Sequence, residues 1–213
     1  MNDKELEETI HFIYEIGNLR KTPRSGFWLL GTGEQTVAEH LYRTAMIVYA
    51  LAHFTPKANK ERCIFIALSH DIAEGRTSDL NYVHQRYGRL AEMTAFEDLA
   101  QTLPFGPELR DAFLEEQKRE TLEAKLVKDA DILEWMASLR DEEFKGNSKA
   151  KEWIIIAQKR LKTPIGKKFG KRLMATNPDA WWFNKSDKWF VGRNEKDRSM
   201  VKKVKKGRRA RGK

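Results

Sequence analysis

Cys63-Ile64-Phe65-Ile66-Ala67-Leu68-Ser69-His70-Asp71-Ile72-Ala73-Glu74 is an apolar run that delivers two adjacent metal-competent side chains and then a carboxylate. On a continuing helix His70 and Glu74, four apart, share a face one turn from each other. His70 and Asp71 point about 100° apart on such a helix, and both can still reach one ion lying off its shoulder. A His-Asp pair alone is a common dipeptide, so its meaning depends on whether the rest of the chain supplies further ligands.

Working outward, the spacing predicts helices on both sides. Leu6, Ile10, Ile13 and Tyr14 recur at helical intervals over residues 3–19. A Gly- and Pro-containing loop covers Arg20 to Gly33. Thr36-Val37-Ala38-Glu39 has capping-box spacing, and the helix it starts runs to about Phe54, before Pro56. The helix carrying His70 begins near Asn59. Helix returns over 86–103, with Leu90, Met93, Phe96 and Leu99 on one side, then from Pro107 to about Arg119. Thr121 opens another, with Asp129 and Asp131 in its middle, and a last one surrounds Trp153. No stretch alternates as a strand does. The expectation is an all-α, bundle-like domain of about seven helices over residues 1–161.

Hydrophobic residues make up 40% of the 213, enough for a core. No apolar run approaches the ~20 residues a membrane span needs. The polar N-terminus carries no secretory-type signal, and Cys63, the one cysteine, excludes an internal disulfide. A cytoplasmic protein is expected. The net charge of +9 is unevenly spread: residues 162–213 carry 18 Lys and Arg against four Asp and Glu, whereas residues 1–161 carry 22 against 27. This asymmetry predicts a mildly acidic domain followed by a basic extension over 162–213.

His40, His70, Asp71 and Asp131 give two imidazoles and two carboxylates from three helices. Such a mixed N/O set suits a divalent transition ion, Mn²⁺, Co²⁺, Fe²⁺, Ni²⁺ or Zn²⁺, with positions left open for water and substrate. Each residue also has an ordinary reading: Asp131 could face solvent beside Asp129, and Glu39 and Glu74 could be solvated helix carboxylates.

The runs Thr22-Pro23-Arg24-Ser25-Gly26, Thr36-Val37-Ala38-Glu39-His40-Leu41-Tyr42-Arg43, His70-Asp71-Ile72-Ala73-Glu74, Asp79, and Thr121 to Lys128-Asp129-Ala130-Asp131 together resemble the HD-domain phosphohydrolases, more narrowly their 5′-deoxynucleotidase branch. The resemblance spans about residues 20–135 and keeps the family's order. It implies that His40, His70, Asp71 and Asp131 are the metal ligands, that Glu74 and Asp79 are the catalytic carboxylates, and that Arg24 grips the substrate phosphate. It further implies a homodimer. Family members place a Trp directly after this Arg or three residues on, against the sugar. Here that third position is Phe27 and Trp28 follows, so Trp28 is assigned to the sugar.

The implied activity is metal-dependent release of phosphate from (deoxy)nucleoside 5′-monophosphates. Glu74 would accept or relay the proton of the attacking water, and Asp79 would orient that water or protonate the leaving oxygen. A deoxynucleoside triphosphohydrolase is the alternative within the family, with Arg43, Arg76 and Arg86 as possible further phosphate contacts. A different class, nucleic-acid binding, is suggested by Trp181, Trp182, Phe183, Trp189 and Phe190 interleaved with Lys185, Lys188 and Arg193. The end, Lys202 to Lys213, adds eight basic residues. The rings are expected to dock on the helical domain, because bulky aromatics rarely stay exposed. The last dozen residues are expected to be disordered unless a polyanion is present.

Overall fold

The structure, a computed structural model, describes residues 2–88, 91–187 and 189–190. Seven helices of nine residues or more match the sequence reading up to residue 161: α1 (Asp3–Ile16), α3 (Val37–His53), α4 (Lys60–Ser69), α7 (Glu92–Ala100), α8 (Gly106–Lys118), α9 (Leu122–Phe144) and α10 (Ser148–Arg160). Three short helices interrupt the loops: α2 (Gly26–Leu30), α5 (Glu74–Thr77) and α6 (His84–Tyr87). A 3₁₀ turn, Gly17–Lys21, follows α1, and α11 (Pro164–Ala175) closes the helical body. No strand occurs among the described residues, so the fold is all-α. Leu90 and the basic end Lys202–Lys213, like Lys188 and Arg193, lie outside the described residues.

Side-chain caps fix where the long helices begin. Thr36 accepts from Glu39 N at 3.3 Å while Glu39 Oε2 accepts from Thr36 N at 2.7 Å, so the capping box forms as the sequence spacing predicts. Asn59 starts α4 and Thr121 starts α9 in the same way, accepting from Arg62 N and Ala124 N. α9 is the axis of the body and packs against α3, α4, α8, α10 and α11. Leu126, Val127, Ala130, Leu133, Met136 and Leu139 are all buried on it. A helix enclosed on most sides needs no single apolar stripe, which is why charged and apolar residues mix along its sequence. Each fully buried Leu or Met there contributes about 2 kcal/mol relative to exposure.

The body extends further than the charge balance predicts. Residues 164–175, expected within the basic extension, form α11, and Ile165, Phe169, Leu173 and Met174 pack on the main core. Asp129 holds this helix in place: its carboxylate accepts from Lys162 N at 2.8 Å, Thr163 N at 2.7 Å and Thr163 Oγ1 at 2.5 Å. The approach is so close that a Cβ on Gly166 would lie 2.2 Å from Asp129 Oδ2. The chain divides into compact units at Ala175/Thr176. Within the second unit, Trp182, Phe183, Trp189 and Phe190 contact one another, with ring centroids 5.0–6.2 Å apart. The Trp182 indole also donates to Asp179 at 3.0 Å.

The helix carrying the His-Asp pair does not continue to Glu74, as the opening reading assumed. α4 ends at Ser69, whose hydroxyl donates back to Phe65 O at 2.7 Å, and His70 is its C-cap. The chain then tightens into turns in which Ile72 N bonds Ser69 O and Glu74 N bonds Asp71 O. In such i to i+3 turns side chains three apart eclipse, so Asp71 and Glu74 come to share a face.

Candidate active site

The loop between the 3₁₀ turn and α3 is closed by backbone hydrogen bonds, Arg24 N to Gln35 O at 2.8 Å and Val37 N to Thr22 O at 2.9 Å. Gly31 and Gly33 adopt positive φ within it, and a Cβ at Gly33 would meet Phe27 and Glu142 at 2.8 Å. This closure turns Arg24 inward. Asp79 secures the same loop from the other side, accepting from Ser25 N at 2.8 Å and lying 3.9 Å from Arg24 Nε. Ser78, just before it, has φ 67 and ψ 164, a region open almost solely to glycine.

His40, on the inner face of α3, is fully buried, and its Nδ1 lies 2.8 Å from Glu134 Oε2 on α9. A carboxylate only accepts, so Nδ1 carries the proton and Nε2 presents its lone pair. His70 follows the same logic, with Nδ1 donating to Ala67 O at 2.8 Å. Both Nε2 atoms are buried and lack a hydrogen-bond partner. They face carboxylates: His40 Nε2 lies 3.5 Å from Asp71 Oδ2 and 3.4 Å from Asp131 Oδ1, and His70 Nε2 lies 3.3 Å from Asp71 Oδ2. Ligand atoms of His40, His70 and Asp131 all fall within 4.8 Å of one another. Donors sharing an ion at about 2.1 Å sit about 3.0–3.5 Å apart, so His40, His70 and Asp131 are close enough to share one divalent cation, and Asp71 Oδ2 lies 3.3–3.5 Å from both imidazole nitrogens.

Charge is balanced around this cluster. The Arg24 guanidinium is largely buried, which by itself would lower its pKa. Asp79 and Asp71, with Glu74 and Asp131 further off, outweigh that and raise it above its ordinary value; Nη1 donates to Asp71 Oδ2 at 3.4 Å. Burial disfavours ionised Asp71 too, yet His70, His40 and Arg24 hold its carboxyl below the ordinary value. For Asp131 burial is outweighed by Lys128, which donates to it at 2.7 Å, and the carboxyl is held well below the usual range. Glu74 is the contrast. Burial, reinforced by the charge of Asp71, pushes its carboxyl up to about 10, and its Oε2 is buried without a partner. The protein alone therefore keeps Glu74 neutral beside two ionised carboxylates.

A cavity of about 370 Å³ opens onto this centre, lined by Arg24, His70, Asp71, Glu74, Asp79 and Asp131 at its charged end. Trp28 is not part of it. That indole lies on the outer side of α2 and is 63% exposed, whereas Phe27 points into the core. The aromatic edge of the cavity comes from Trp135, one helical turn beyond Asp131, and from Tyr82. Arg43 and Arg76 are also elsewhere: Arg43 bonds Glu134 and Ser138, and Arg76 pairs with Glu15. Arg86 does not line the cavity either; Lys128, Arg119 and Arg160 do.

Sequence reasoning missed Glu134, which is fully buried and holds His40. Gln35 and Arg43 each donate to its Oε1 at 2.7 Å. Burial opposes its ionisation, but the hydrogen bond from His40 and the charge of Arg43 hold its carboxyl down at about 2. The available signal was the i, i+3 spacing from Asp131, which puts both carboxylates on the side of α9 facing α3.

A family model described as HD domain matches residues 16–172. A 5′-deoxynucleotidase of Schizosaccharomyces pombe is 31% identical over 157 residues, covering 69% of this chain and 78% of that protein. A 5′-deoxynucleotidase of Xenopus laevis is 35% identical over 132 residues, 59% of this chain and 64% of its own length. Among solved structures, a conserved hypothetical protein from Pyrococcus furiosus superposes with a TM-score of 0.68 at 28% identity, covering 78% of this chain and 99% of that one.

Proposed function

This chain belongs to the HD-domain family, in its 5′-deoxynucleotidase branch, and from that premise we propose that it releases inorganic phosphate from (deoxy)nucleoside 5′-monophosphates at a divalent-metal centre held by His40, His70, Asp71 and Asp131. The observation that carries this reading is the pair of buried, unpartnered imidazole nitrogens facing two ionised carboxylates beside a buried guanidinium.

A divalent ion bound there supplies the Lewis acidity that activates water and polarises the phosphoryl group. Arg24, fixed from behind by Asp71 and Asp79, presents a rigid donor fork to phosphate oxygens and stabilises charge as it builds on them. Glu74 shares the face of Asp71 and is the group placed to take the water proton. As a base it must be ionised, and an ion held by Asp71 would favour that form by offsetting the charge of Asp71, the second cause after burial that raises its carboxyl. Asp79 holds the Arg24 loop through Ser25 N and lines the cavity, where it orients the water, and the proton that Glu74 takes from the water is passed on to the leaving oxygen.

A monophosphate is favoured over a triphosphate because two of the three further cations of the cavity are already ion-paired. Lys128 is paired with Asp131, Arg119 with Glu116, and Arg160 reaches Tyr82. A homodimer is proposed alongside, on the strength of the resemblance, and the cytoplasm is proposed as its compartment. Also proposed is polyanion binding by the basic end, which salt-sensitive oligonucleotide binding lost on deleting residues 200–213 would demonstrate. The main reading is tested by product analysis of metal-loaded protein with nucleoside mono- and triphosphates: phosphate plus nucleoside is expected, and triphosphate release overturns it. Asp71→Ala is expected to abolish turnover and metal retention with helicity intact, as read by circular dichroism.

A further inference from the structure

The cavity is too large for a phosphate alone, and its volume of about 370 Å³ lies in the range of small-molecule sites. Its charged end accounts for the phosphoryl group. The other end has a different chemistry. Among the described residues, Trp135 and Tyr82 are the aromatic side chains lining it, with Ile132 and Leu80 between. They belong to one continuous set of rings. Trp153 of α10 contacts both, at 6.3 Å from Trp135 and 5.9 Å from Tyr82. Phe27 meets Trp135 edge-on at 5.1 Å from behind, and the lack of a side chain at Gly26 lets the loop lie against the Trp135 ring. Trp135 is thereby fixed in orientation, with only 8% of its surface exposed. Arg160 donates to the Tyr82 hydroxyl at 3.5 Å and steadies the second ring.

We propose that the nucleoside half of the substrate rests against this aromatic wall, and that Trp135 and Tyr82 together set which phosphomonoesters the enzyme accepts. This rests on the nucleotidase reading above and deepens it. Trp135 lies one helical turn beyond Asp131 on α9, so the wall is rigidly referenced to the centre where phosphate is released. Trp28 does not line the cavity. The wall reads a flat ring rather than a particular base. The three carboxamides lining the cavity are already engaged: Asn81 Oδ1 accepts from Val83 N and His84 N, Gln85 donates to Leu80 O, and Gln117 donates to Glu116. Stacking is indifferent to the edge of the base, so discrimination falls on the presence of the nucleoside.

The test compares Tyr82→Ala and Trp135→Leu with wild type, each assayed with Mn²⁺ and Co²⁺. Substrates are the four common deoxynucleoside 5′-monophosphates and glycerol phosphate, which has the same phosphoryl group and no ring. Tyr82 is 46% exposed, so its variant folds even if Trp135→Leu disturbs the core. The ratio of kcat/KM for nucleotide over glycerol phosphate is expected to fall about tenfold or more, carried by KM and alike for all four bases. An unchanged ratio in Tyr82→Ala, with wild type still cleaving nucleotides, overturns the aromatic wall and leaves the nucleotidase reading intact. Wild type that cleaves glycerol phosphate but none of the nucleotides overturns both.

Discussion

Ser78 occupies backbone space that costs a non-glycine residue about 1–3 kcal/mol, and it immediately precedes Asp79, the carboxylate that holds the Arg24 loop through Ser25 N. Ser78→Gly is expected to raise stability by about 1 kcal/mol in urea unfolding, since relief of strain exceeds the entropy that glycine adds to the unfolded chain. It is also expected to lower kcat, because a freer residue 78 no longer fixes the direction of Asp79. A variant that gains stability and keeps full turnover would show that Asp79 is positioned by other contacts. Glu134 makes the opposite kind of contribution. It touches no cavity surface, yet it decides which imidazole nitrogen of His40 is free, as partners of a ligating histidine generally do.

Two aspartates two positions apart on α9 separate architecture from chemistry. Asp129 faces the start of α11 and satisfies three donors there, while Asp131 faces the imidazoles. Asp129→Ala strands the buried backbone N–H and hydroxyl of Thr163 and the part-buried N–H of Lys162. It is expected to cost about 3 kcal/mol, a fall in Tm of roughly 6–12 °C, while turnover per folded molecule survives. Asp131→Ala is expected to show the reverse, loss of activity with a much smaller thermal shift. Helix starts were legible because Thr36, Asn59 and Thr121 form their caps locally. The end of α4 was not, because the turn after His70 follows from tertiary demands on Asp71 and Glu74, not from any Gly or Pro. α11 was hidden by its lysines, which project outward and made an amphipathic helix read as part of a charged tail.

Residue types alone left a shared metal site open; the family resemblance implied His40, His70, Asp71 and Asp131, and folding brings His40, His70 and Asp131 within reach of one another. The aromatic edge was not legible. Trp135 reads as an ordinary core position of α9, and Tyr82 as a loop residue, until folding brings both beside Trp153. At the scale of the whole molecule, one ion would tie α3, the turn after α4 and α9 together. Chelation is expected to lower Tm by roughly 5–10 °C, as loss of a ligand present at about a hundredfold over its Kd implies. Re-addition of metal restores it, and Asp71→Ala gives no response in scanning calorimetry. The enclosure of α9 has a further consequence for hydrogen exchange. Amides around Asp131 and Glu134 can exchange only when the entire fold opens. The segment from His70 to Asp79, by contrast, hangs on single turns and the four residues of α5, so it can open locally. The centre is therefore expected to have one wall that exchanges only with global unfolding and one that exchanges sooner, a contrast that hydrogen exchange followed by mass spectrometry reads directly.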